Sequence, residues 1–114
     1  MAAFGLRAAI SVLTFLTAVG AANAKDMGRA LFENDCAACH TLKADAPAKR
    51  GPHLEGLFER RYGAVEGFPY RMVWKKADPV WTDKEIDNYL FIHGRYDAPD
   101  RATLIEYLKK ATRP

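Results

Sequence analysis

Cys36-Ala37-Ala38-Cys39-His40 is the stretch on which the reading of this chain turns. C-x-x-C-H is the attachment spacing of a c-type haem: two thiols can each add to a vinyl group of one porphyrin, and the adjoining imidazole then lies against the iron. Two other chemistries use similar residues. A thioredoxin-like redox pair belongs beside a βαβ pattern, and no run of β-branched residues precedes Cys36. A zinc site from Cys36, Cys39, His40 and His53 has suitable ligand types, but C-x-x-C-H followed by twelve residues and a histidine is not a structural zinc spacing. One covalent haem c with its iron is therefore the expected cofactor.

The compartment implied by the N-terminus agrees. Arg7 is followed by an apolar or small run from Ala8 to Ala22, centred on Ile10, Val12, Leu13, Phe15, Leu16 and Val19. Ala22-Asn23-Ala24 then offers an A-x-A cleavage site before Lys25-Asp26. Residues 1–24 read as a secretory signal peptide, removed after Ala24. Kept, Ala8 to Ala24 would be a membrane anchor at the short end of spanning lengths. An exported protein, in the bacterial periplasm and without stable membrane insertion after cleavage, is the expectation.

Residues 25–114 form one small domain of 90 residues. A core of that size is marginal alone, so a buried porphyrin would supply apolar filling the chain lacks. The remaining 16 basic and 14 acidic residues leave a net charge of +2, nearly cancelled by two haem propionates. No basic stripe interleaved with aromatics points to nucleic acid. Lys75-Lys76 and Lys109-Lys110 read as solvated faces or a weak docking patch.

Along the chain, Asp26 can cap a first helix from about Met27 into the haem motif, with Gly28, Leu31 and Phe32 on one stripe. Thr41 to Gly51, with Ala46-Pro47-Ala48, reads as an exposed loop. Arg71 to Ala77 suggests a short helix ended before Pro79. Thr82-Asp83-Lys84-Glu85 is a capping box, behind which Ile86, Tyr89, Leu90 and His93 share a face up to Gly94. Asp100 after Pro99 can cap a last helix burying Leu104, Ile105 and Leu108. The fold class is all-α: three main helices and short ones around a haem.

The stretch Gly51-Pro52-His53-Leu54-Glu55-Gly56-Leu57-Phe58-Glu59-Arg60 resembles the G-P-x-L-x-G-L-x-G-R segment of class I cytochromes c, the small mitochondrial and bacterial type. The match runs without gaps through Gly67-Phe68, Tyr70 and Trp81 to Tyr89-Leu90. It resumes at Asp100-Arg101 and continues to Lys109-Lys110, with Gly28 and Phe32 where that family packs its first helix on its last. The resemblance implies His40 as proximal iron ligand, oriented by the Pro52 carbonyl. It implies Arg60, Tyr70 and Trp81 as contacts of a buried haem propionate, and Tyr89 as a distal pocket wall. From the residues alone, Tyr70 and Trp81 also suit an ordinary core, and His53 suits the surface.

The family delivers a methionine to the sixth iron position from a loop before the last helix. Here only Phe91 to Pro99 remains, without methionine. Met27 lies before the motif, and Met72 matches a position that points outward. His93 is the preferred distal ligand, giving a lower potential than methionine would. An open iron is the competing state, with Tyr96, a lysine or Met72 behind. A monomeric electron carrier between redox proteins (oxidase, reductase or dehydrogenase), and not an enzyme, is the leading expectation. The alternatives are a distal site that binds NO, CO or O2 or turns over peroxide, and a relay subunit of a larger oxidoreductase.

Overall fold

The computed structural model describes residues 5, 9–14, 23–71, 79–94 and 96–114. Three α-helices follow one another, α1 (Ala24–Asp35), α2 (Asp83–Ile92) and α3 (Ala98–Ala111). The only extended pairing among the described residues is one antiparallel bridge between Arg61 and Val80. The all-α expectation holds. Among these residues no helix is long and apolar enough to cross a membrane. The expected short helix over 71–77 and Met72 fall almost wholly outside the described residues, as does most of the apolar run of 1–24.

Each helix begins where a side-chain oxygen meets an otherwise unpaired amide, and two begin earlier than the sequence suggests. Asn23, not Asp26, caps α1, its side chain accepting from the Asp26 amide at 2.9 Å. Asp26 then sits in the first turn, where a carboxylate favours the helix dipole. Asp97, not Asp100, caps α3 in the same way at 3.0 Å. Pro99 is accommodated in the first turn, where a missing N–H costs no helical bond. Thr82 caps α2 as expected, its Oγ1 accepting from the Glu85 amide at 3.2 Å. The Glu85 carboxylate, which a full capping box would turn back onto the cap, instead accepts from the Tyr62 hydroxyl at 2.8 Å. α2 ends at His93 and Gly94, whose φ of +66° is free for glycine.

α1 crosses α3 closely at Gly28, beside Thr103 and Tyr107. The contact buries Phe32 against Leu104 and Leu108, with the Tyr107 ring tilted 6.1 Å from that of Phe32. α2 packs on the neighbouring face of α3 through Ile86 and Ile105, joined there by Leu57. Leu54, Phe58 and Leu90 touch both clusters and make them one core. The segment after Gly51 is tied to the end of α3 by the Gly56 amide, which donates to the Thr112 carbonyl at 2.6 Å. It is tied to the start of α2 by exchanges of Glu59 and Arg60 with Trp81.

Arg101 anchors the short turn between α2 and α3. It donates to Asp87 at 2.8 Å and to the Tyr96 carbonyl at 2.9 Å, and its guanidinium lies 5.3 Å from the Phe91 ring centroid. Helix α2 reaches Ile92 and α3 starts at Ala98, so the expected linker from Phe91 to Pro99 contracts to 93–97.

Glu59 has a φ of +81°, the left-handed region, at the place where the G-P-x-L-x-G-L-x-G-R pattern has glycine. A side chain there costs roughly 1–2 kcal/mol. Glu59→Gly relieves this but adds unfolded-chain freedom worth about 0.4–1 kcal/mol. Glu59→Asn, which tolerates the conformation without that penalty, is expected to raise stability by about 0.5–1 kcal/mol in urea unfolding.

Candidate functional site

The haem-motif residues are placed by the end of α1. The Cys36 amide still donates to the Phe32 carbonyl at 2.9 Å, so the helix ends on the first cysteine. The amides of Cys39 and His40 then fold back on the Cys36 carbonyl at 3.1 and 2.9 Å. Both cysteines of this turn are half-buried and not disulfide-bonded, with His40 next in the chain. A methyl group on Gly51 would run into Cε1 and Nδ1 of the His40 ring, so only glycine lets the backbone pass this imidazole. The Gly51 amide donates to the Cys39 carbonyl at 2.7 Å. One residue on, His40 Nδ1 donates to the Pro52 carbonyl at 2.7 Å. Because Nδ1 carries the proton, Nε2 is the nitrogen left with a lone pair for a metal. Lys49 Nζ reaches across to the Ala37 carbonyl inside the motif.

Arg60 occupies the wall between the segment after Gly51 and the start of α2. Its Nη1 donates to the carbonyls of His53 at 2.8 Å and Glu55 at 3.2 Å, while its buried Nε has no partner. Burial pushes the guanidinium below its usual value, and the Tyr70 phenol partly offsets this. Tyr70 Oη accepts from the Val65 amide at 3.0 Å, with its ring edge on Phe68. Trp81 belongs to a ladder of rings: Tyr62 stacks on it at 4.0 Å, Tyr89 meets it edge-on at 5.6 Å, and His93 lies 4.1 Å from Tyr89. Tyr89 is 47% exposed, and His93 is exposed at the C-cap position just after α2.

The other distal candidates are differently placed. The Tyr96 hydroxyl donates to Asp35 at 2.6 Å, and Met27 is 46% exposed on α1. His53, expected at the surface, is instead half-buried, with Nδ1 out of contact with solvent, and its carbonyl accepts from Arg60. No group of three or more His, Cys, Asp or Glu among the described residues is set to hold a metal ion, so the zinc set of Cys36, Cys39, His40 and His53 is not assembled.

Tyr62 is a participant that the sequence reading passed over. Stacked on Trp81 and bonded to Glu85, it has a phenol pushed up to about 12, first by desolvation and then by the Glu85 carboxylate. A hydrogen bond to a charged group is worth about 1.5–3 kcal/mol. Tyr62→Phe is therefore expected to lose about 1–2 kcal/mol at pH 7. The neutral phenol is the form that the fold favours, so its contribution is full below pH 10 and is lost between pH 10 and 12. Urea midpoints of the two proteins should converge across that window.

The donor set suits a haem. Two neighbouring thiols, an imidazole with its tautomer fixed, and a buried guanidinium nitrogen without a partner match the vinyl groups, the iron and a carboxylate of one porphyrin. A family model described as Cytochrome c matches residues 26–112. The cytochrome c of Gibberella zeae is 37% identical over 98 residues, covering 75% of this chain and 92% of that protein. Those of Cannabis sativa and Ulva intestinalis are each 34% identical over 97 residues, covering 75% of this chain and 87% of theirs. With its three helices and this donor set, the chain belongs to the cytochrome c family, class I, and its cofactor is a covalently bound haem c.

Proposed function

We propose that this protein is an exported single-electron carrier, monomeric and periplasmic after loss of residues 1–24, working between an oxidase, reductase or dehydrogenase and a second redox protein. The observation that carries the reading is the bond from His40 Nδ1 to the Pro52 carbonyl, which holds an imidazole with Nε2 free beside two unbridged thiols. In this reading Cys36 and Cys39 form the thioethers and His40 is the proximal ligand. Arg60, Tyr70 and Trp81 face a propionate, and Tyr89 lines the distal side. The haem, when bound, supplies a reversible one-electron couple. The chain sets its potential through the strength of the His40 donor, keeps water from the iron with the α1–α3 core, and leaves one edge for a partner.

His93 is the proposed distal ligand. It shares the outer face of α2 with Tyr89, on which its ring rests, and imidazole is a good iron ligand. Its exposure favours a second reading, in which the sixth position is open and binds a small gas or peroxide. Optical spectra of the haemylated protein, oxidised and reduced, with and without carbon monoxide, decide between them. Sharp low-spin bands indifferent to carbon monoxide are expected, and His93→Ala should turn them high-spin and responsive. High-spin bands in the wild type that shift at once with carbon monoxide would establish the open site.

A further inference from the structure

The ladder of rings ends on a proton acceptor. His93 lies 4.1 Å from Tyr89, Tyr89 meets Trp81 edge-on at 5.6 Å, and Trp81 is stacked on Tyr62 at 4.0 Å, so four conjugated rings follow one another in contact. Tyr62, the last of them, donates its hydroxyl proton to the Glu85 carboxylate at 2.8 Å. A phenol that loses an electron becomes a strong acid, and one whose proton already points at a carboxylate can give up both together. Before that, the proton is held: desolvation and then the bond to Glu85 push the phenol up to about 12, so at neutral pH it stays until an electron leaves. Tyr62 is half-buried, and its open part is within reach of a small molecule.

We propose that Tyr62 is a redox-active tyrosine, which gives one electron through Trp81 and Tyr89 toward the haem and its phenolic proton to Glu85. The oxidant is hydrogen peroxide, so the inference rests on the second reading above, in which the sixth position is open. Two such events balance one peroxide. Two phenols lose two electrons and two protons, the protons pass through Glu85 to solvent, the O–O bond breaks, and two water molecules and two phenoxyl radicals result. A small phenol restores each Tyr62 by giving it one electron and one proton, which makes small phenols the substrate class of this site.

The test is electron paramagnetic resonance of the haemylated protein, freeze-quenched after mixing with hydrogen peroxide, for the wild type, Tyr62→Phe, Glu85→Gln and Tyr96→Phe. The wild type should give a tyrosyl radical signal that Tyr62→Phe abolishes and Glu85→Gln lowers several-fold. Tyr96, whose hydroxyl also donates to a carboxylate, that of Asp35, is the control, and Tyr96→Phe should leave the signal intact. A signal that survives Tyr62→Phe means that Tyr62 only packs, and overturns the proposal. So does one untouched by Glu85→Gln. Absorption spectra of the same samples separate this from failure of the open-site reading. Wild-type haem bands that ignore peroxide refute that reading alone, and His93→Ala is then the protein tested. Bands that respond without a tyrosyl signal, or that ignore peroxide in His93→Ala as well, overturn the assignment to Tyr62.

Discussion

Replacing Cys36 and Cys39 together by alanine should give a chain that retains no haem after denaturing electrophoresis and shows no cooperative thermal transition. The two cysteines are half-buried and not disulfide-bonded, Cys36 at the end of α1. Without them no thioether can form, whatever else contacts the porphyrin. The loss reaches the fold because so little of the chain packs on itself. Among the described residues the buried apolar set is Phe32, Leu57, Ile86, Leu104, Ile105 and Leu108, and Tyr89, Phe91 and Ile92 stay largely exposed. A domain of this size has a net stability of roughly 5–13 kcal/mol, the small difference between large terms. Removing the group around which it closes is expected to exceed that margin. His40→Ala is the companion variant: it keeps the thiols and should keep covalent haem, but with altered axial bands. Haem staining and far-ultraviolet circular dichroism read both. A double cysteine variant that melts cooperatively without haem would contradict the account.

The second large effect is expected at the helix crossing. Gly28→Ala adds one carbon, 2.5 Å from the Tyr107 Cβ and 2.9 Å from the Thr103 carbonyl oxygen. Neither is the end of a flexible side chain, so relief requires α1 and α3 to move apart. That movement would open the contact of Phe32 with Leu104, which is wholly buried. Overpacking of this kind costs about 1–3 kcal/mol, and the backbone clash puts this case near 3. For a domain of this length the melting temperature should fall by about 15 °C. Thr103→Ala leaves the carbonyl in place and should not rescue it. Tyr107→Ala removes the ring but not its Cβ, and should rescue little.

What could be read from the sequence was whatever depends on spacing. C-x-x-C-H fixed the cofactor class, the i, i+3, i+4 stripe of Ile86, Tyr89 and Leu90 gave α2, and Gly28 with Phe32 gave the crossing. Helix starts were harder, because Asn23 and Asp97 cap as well as the acids three residues later, and a pattern does not say which oxygen the backbone turns toward. Glu85 could equally have closed its own cap. Only the approach of Tyr62 across the fold decided otherwise. His53 was misjudged because its burial depends on the tertiary fold around it, where its carbonyl meets Arg60 seven residues away, and not on its local sequence. The ring ladder of Tyr62, Trp81, Tyr89 and His93 combines residues from two segments whose meeting no local rule predicts.

The crossing of α1 and α3 joins the two ends of the domain. Gly28 can meet Tyr107 only after the whole stretch between them has been synthesised. Closing so long a loop is slow, and local contacts do not hasten it. Until then Phe32 has no partner on α3, and Cys36, four residues beyond it, stands on an open surface. In the interval before α3 arrives, Cys36 is less covered than in the closed core. A haem is joined most readily to a chain whose α1–α3 contact, which covers part of Cys36, has yet to close.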